Sequence, residues 1–86
     1  MAQIKVEAVQ KYQHSTLYTV KDGPKLIGFL EKYTNTRTET HPWKPFLPHT
    51  HKPFQVGQML EPVYGANAKQ LAIQQLVDAA RKEAAV

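Results

Sequence analysis

Three of the four histidines, His41, His49 and His51, fall in one short stretch of this 86-residue chain. His49 and His51, two apart, would leave a strand in the same direction, and three imidazoles form a ligand set that zinc accepts. The surroundings favour a plainer reading. There is no H-E-x-x-H spacing, the stretch is rich in proline, the further candidate ligand Glu39 has no motif around it, and the chain has no cysteine to supply a thiolate. A carboxylate that does acid–base work needs burial or a like-charged neighbour to move its pKa. Here every acidic residue except Glu61 has a basic residue within three positions, the pattern of solvated pairs. G-x-S-x-G and phosphate-cradling loops are missing, and only four glycines are present. The expectation is therefore no catalytic residue, no cofactor and no metal, with a His-rich metal-dependent enzyme as the least supported alternative.

Residues suited to binding a macromolecule cluster more clearly. Lys32, Asn35 and Arg37 stand among threonines and a tyrosine, and Trp43 and Lys44 follow. On a sheet face laid against nucleic acid, Arg37 would read guanine or a phosphate, Asn35 would pair with adenine, and Lys32 and Lys44 would touch phosphates. That reading requires Lys32, Arg37 and Lys44 on one contiguous face. The net charge of +4 does not favour it strongly, because the cations are spaced almost evenly, with acidic residues among them.

The same stretch suits a protein partner better. Trp43, Phe46, Leu47 and Phe54 are interleaved with prolines, and a stiff extended segment loses little entropy when it docks. Thr34 to Thr40, alternating with Asn35, Arg37 and Glu39, has the pattern of an exposed strand able to pair with a partner's edge. Trp43 and Phe46 have a competing role in closing the chain's own core, and for Trp43 that role is preferred. Phe54 is the expected exposed anchor. The candidate partner-binding set is thus Lys32, Asn35, Arg37, Glu39, Trp43, Lys44, Phe46 and Phe54, with protein narrowly ahead of nucleic acid.

The elements that would position these residues follow from periodicity. Ile4, Val6 and Ala8 alternate with Lys5 and Glu7, which predicts a half-buried strand, although Val9 breaks the alternation. Thr16 to Val20 is rich in β-formers, and Asp22-Gly23-Pro24 marks the clearest hairpin, leading into Lys25 to Tyr33. Leu26 to Leu30 is apolar on both faces, as a central strand covered by a helix on one side would be, and Gly28 marks a close helix approach or a bulge. Five of the six prolines lie between residues 42 and 62, which forbids a helix and predicts edge strand, polyproline II or structured loop. Val56 to Leu60 is a weaker strand signal.

From Asn67, an N-cap residue followed by Gln70, a helix is expected to about Glu83. Ala72, Ile73, Leu76, Val77, Ala80 and Ala84 would lie on its buried face, opposite Gln75, Asp78 and Lys82, with Leu71 off the stripe.

These elements fit one domain over residues 1–86, with a sheet from about 3 to 60 and a helix from about 67 to 84. The fold class is α+β, a small antiparallel sheet of three to four strands packed against one C-terminal helix. With 42% hydrophobic and 21% charged residues the chain should fold, as a monomer or homodimer, in a reducing cytoplasm. No membrane segment or leader is read in it. The hairpin at Asp22-Gly23 with Gly28-Phe29, then Thr36-Arg37-Thr38-Glu39-Thr40-His41-Pro42-Trp43 and the alanine-rich helix, resembles small uncharacterised bacteriophage accessory proteins over roughly residues 18 to 47. The resemblance implies a phage-encoded protein in the host cytoplasm that binds a host protein or nucleic acid without catalysis. It assigns no residue a role.

Overall fold

A computed structural model describes residues 3–33, 42–52 and 55–84; the side chains of Tyr33, Glu83 and Ala84 lie outside that description. In chain order the elements are β1 (Ile4–Lys11), β2 (Ser15–Asp22), β3 (Lys25–Tyr33), β4 (Lys44–Pro48), β5 (Val56–Met59) and α1 (Ala68–Ala84). Each strand pairs antiparallel with the next, so the sheet order repeats the chain order. The architecture is the expected α+β sheet and C-terminal helix, with five strands among the described residues where three to four were expected.

Local chemistry accounts for the hairpins and their irregularities. Gly23 and Pro24 link β2 to β3, with Asp22 opposite Lys25. Gly23 has φ of 59°, and a proline ring holds φ near −65°, which together give the sign pattern of a type II′ turn. The break in alternation at Val9 is a β-bulge: pairing steps from Ala8 opposite Tyr18 to Gln10 opposite Leu17, leaving Val9 as the extra residue. A second bulge at Ile27 falls between the Val20–Gly28 and Lys21–Leu26 pairs. It turns Ile27 into the core, where it is 5% exposed.

The proline-rich stretch is corrected by the structure. It was expected at an edge, in polyproline II or in a loop, yet β4 lies between β3 and β5. Two facts permit this. Pro45 accepts a hydrogen bond from the Leu60 N–H at 2.8 Å, so its donor-less nitrogen turns to the same side, where β5 has already ended at Met59. Trp43 and Val63 then exchange a pair of backbone bonds of 2.9 and 3.0 Å, which pins the start of β4.

One face of the sheet carries the core. Val20, Ile27, Leu30 and Trp43 from the sheet side meet Ala68, Ala72 and Leu76 of α1, and Val6, Tyr18, Leu47, Leu60, Val63, Ile73, Val77 and Ala80 pack around them. Gly28 is where the helix comes closest. A Cβ there would lie 2.5 Å from Leu76 Cδ2 and 2.7 Å from the Phe46 carbonyl oxygen, so only glycine fits without movement. Gln75, outside the core cluster, holds the chain before α1: its Nε2 donates to the Glu61 carbonyl at 2.8 Å and its Oε1 accepts from the Glu61 N–H at 3.3 Å. Leu71 is 52% exposed.

Candidate partner-binding site

The register places every strand residue on one face or the other, because residues directly opposite in an antiparallel pair share a face. Pro45, fully buried, faces Leu30, so these two lie on the helix side. The alternate positions Phe29 and Phe46 must then point away from α1. Thr19, opposite Phe29, and Glu7, opposite Thr19, extend this row across β2 and β1, and Met59, opposite Phe46, completes it on β5. A single row, Glu7–Thr19–Phe29–Phe46–Met59, therefore crosses all five strands on the face that no helix covers. Phe29 is only 3% exposed yet stands outside the cluster that packs on α1.

Two further rows flank it. Lys5–Lys21–Leu26 lies toward the Gly23 turn, and Gln10–Leu17–Glu31–Lys44 toward the opposite end. Between them is a groove of about 520 Å³ lined by Glu7, Val9, Gln10, Tyr12, Leu17, Thr19, Lys21, Pro24, Leu26 and Phe29. Its apolar components are substantially open: Val9 is 51% and Tyr12 54% exposed, and Met59 beyond it is 46% exposed. Charges of both signs surround this apolar centre. Lys5 Nζ lies 3.0 Å from Glu7 Oε1, and Ser15 Oγ donates to Glu31 Oε2 at 3.4 Å. The hydrogen bond and positive charge of Lys5, with a lesser contribution from Lys21, hold the Glu7 carboxyl below its ordinary pKa.

Of the residues nominated from sequence, the four that are described, Lys32, Trp43, Lys44 and Phe46, divide between the two faces of the sheet. Asn35, Arg37, Glu39 and Phe54 lie outside the described residues, as do the Thr34 to Thr40 stretch and His41. Phe46 is half-buried in the central row of the uncovered face. Trp43 is 8% exposed and belongs to the core, stacked at a 39° tilt with its ring centroid 5.6 Å from that of Tyr18. Its ring is consumed by the fold and offers a partner little surface. Lys32 and Lys44 part company: Lys32 pairs with Thr16 on the helix side, its Nζ 5.1 Å from the Trp43 ring centroid, while Lys44 pairs with Glu31 on the other. The common sheet face that the nucleic-acid reading required of these two lysines is not formed. Lys69, on the first turn of α1, is the second cation near the indole, at 5.8 Å.

His49 and His51 do approach one another, with ring centroids 6.2 Å apart, but the His49 Nδ1 accepts the His51 backbone N–H at 3.1 Å, which engages one ligand nitrogen. Among the described residues no three His, Asp or Glu side chains are arranged to hold a metal ion. No helix among them is long and apolar enough to cross a membrane.

The uncovered face was missed as a site because its members come from five separate strands. A signal was available: Leu17, Leu26, Phe29 and Phe46 are apolar residues at positions that alternate with the core positions, more than one buried face requires. No family model, curated protein or solved structure matches the chain, so the reading of this face rests on its own geometry.

Proposed function

We propose that this chain is a non-enzymatic binding protein that docks a protein partner on the uncovered face of its sheet, with Phe46 and its strand as the part of the Thr34 to Phe54 stretch that contributes. The observation that carries this is half-covered Phe46 and exposed Met59, flanking buried Phe29, beside the open groove of Val9, Tyr12, Leu17 and Leu26. Water-exposed apolar surface of this extent favours a partner that buries it. The rim selects the kind of partner. Lys5, Lys21 and Lys44 alternate with Glu7 and Glu31, a mixed field that complements a protein surface with an apolar centre and gives a polyanion no uniform attraction. The resemblance to phage accessory proteins supports a bacterial host protein as that partner, with the host cytoplasm as the meeting place.

Capture from a bacterial lysate, with and without nuclease, tests the proposal when the wild-type chain is compared with Leu26→Lys and Met59→Lys. A protein retained equally in both nuclease conditions, and lost with either substitution, is the expected result. Retention abolished by nuclease, or indifferent to both substitutions, overturns it.

A further inference from the structure

The edge of the sheet carries a separate message from its face. Among the described residues β1 has β2 on one side and no strand on the other, and of its residues only Val6 is even half-buried. The Gly23 N–H donates to the Gln3 carbonyl at 3.0 Å, so Gln3 directs its backbone groups toward β2. Alternation along an antiparallel strand then turns Lys5 and Glu7 inward as well, and sends the N–H and C=O of Ile4, Val6 and Ala8 outward. Such a free edge invites another strand unless something blocks it.

We propose that β1 pairs antiparallel with β1 of a second copy of this chain, in the register that places Val6 on the two-fold axis. The backbone parity is satisfied, because Val6 meets Val6 and Ile4 meets Ala8, all of them residues whose polar groups face outward. The charges select this register over its neighbours. It sets Lys5 of each copy opposite Glu7 of the other, whereas sliding by two residues either way sets Lys5 against Lys5 or Glu7 against Glu7, which is unfavourable for directly opposed side chains. Lys5 and Glu7 already lie 3.0 Å apart within one strand, so the four charges of the pair alternate in sign around a square.

The other face of the same segment agrees. α1 packs chiefly over β3 and β4, leaving Ile4, 37% exposed, and Ala8 without a helix above them. Two-fold pairing brings these apolar side chains together beside Val6. The Val9 bulge ends the regular edge just past Ala8, which confines pairing to this stretch. Closed two-fold contacts of this kind are self-complementary and stop at the dimer. The pairing uses the backbone edge of β1 and shares only the Lys5 and Glu7 side chains with the rim of the proposed docking face.

Light scattering and sedimentation of the full chain over a concentration series provide the test, with circular dichroism to confirm that each variant folds. Wild type is expected to form dimers. Lys5→Glu and Glu7→Lys should each be monomeric alone, mixing the two should restore a heterodimer, and the double exchange in one chain should restore the homodimer. Because the chain has no cysteine, Val6→Cys adds a positional readout: a short bis-maleimide should link it to its counterpart, and adding Lys5→Glu should abolish the link. A chain that stays monomeric and unlinked at every concentration, or a dimer indifferent to Lys5→Glu, overturns the proposal.

Discussion

The two faces of this sheet are built from the same strands and differ in what they meet. On the helix side, Val20, Leu30, Ala72 and Leu76 are fully withdrawn from water, and Gly28 lets Leu76 approach to a distance that a methyl group would forbid. On the other side Phe29 is buried, but Leu17, Leu26 and Phe46 are only half-covered and Val9, Tyr12 and Met59 stand open. One face has used its apolar surface for folding; the other retains part of its own for association. A single helix explains the asymmetry, because α1 covers one layer and the described residues hold no second helix to cover the other.

If that contrast is right, equal chemical insults should have unequal effects on the two faces. Leu76→Ala should be the most damaging, lowering stability by about 2–5 kcal/mol, because it removes a fully buried side chain and leaves a cavity against Gly28. Urea denaturation measures this, and a loss under about 1 kcal/mol would show that the helix side is not tightly packed. Gly28→Ala should follow at about 1–3 kcal/mol, because the Phe46 backbone oxygen cannot step aside as a side chain can. Gly23→Ala should lower stability by about 1 kcal/mol through its positive φ alone, as nothing lies within 4 Å of the added carbon.

Met59→Lys belongs to the other side of the comparison. It should shift stability by no more than about 0.5 kcal/mol while abolishing partner retention. Loss of stability comparable to Leu76→Ala would mean that the uncovered face is as much core as the covered one. The smallest effect concerns Glu7. Its pairing with Lys5 is in place at neutral pH and fades as acid protonates the carboxylate below its ordinary range. In Lys5→Ala, an NMR titration should find the Glu7 pKa moved upward toward the ordinary value.

Much of the scaffold was legible because its signals are local. Asp22-Gly23-Pro24 specifies its turn through two backbone preferences, Asn67 marks the residue before α1, and the misfit of Val9 in an alternating strand is the bulge itself. Even Gly28 was readable as a close approach or a bulge, and the structure has both side by side. Strand count and the place of β4 were not legible, because proline lowers strand propensity everywhere in a sequence but matters only where a ladder needs its N–H. Pro45 sits opposite Leu60, just past the end of β5, where the regular ladder no longer needs its N–H, a circumstance created by tertiary pairing.

The candidate site divides in the same way. Residue types in the chain were enough to establish an α+β domain with a surplus of apolar strand residues and large side chains suited to contact. They could not say that Trp43 would be enclosed while Phe46, three positions on, would face outward, nor that Lys32 and Lys44 would stand on opposite faces. Those outcomes depend on register, and a shift of one residue exchanges the faces of a whole strand. Periodicity reveals that a strand has two sides; only packing decides which side the helix takes and which is left for a partner.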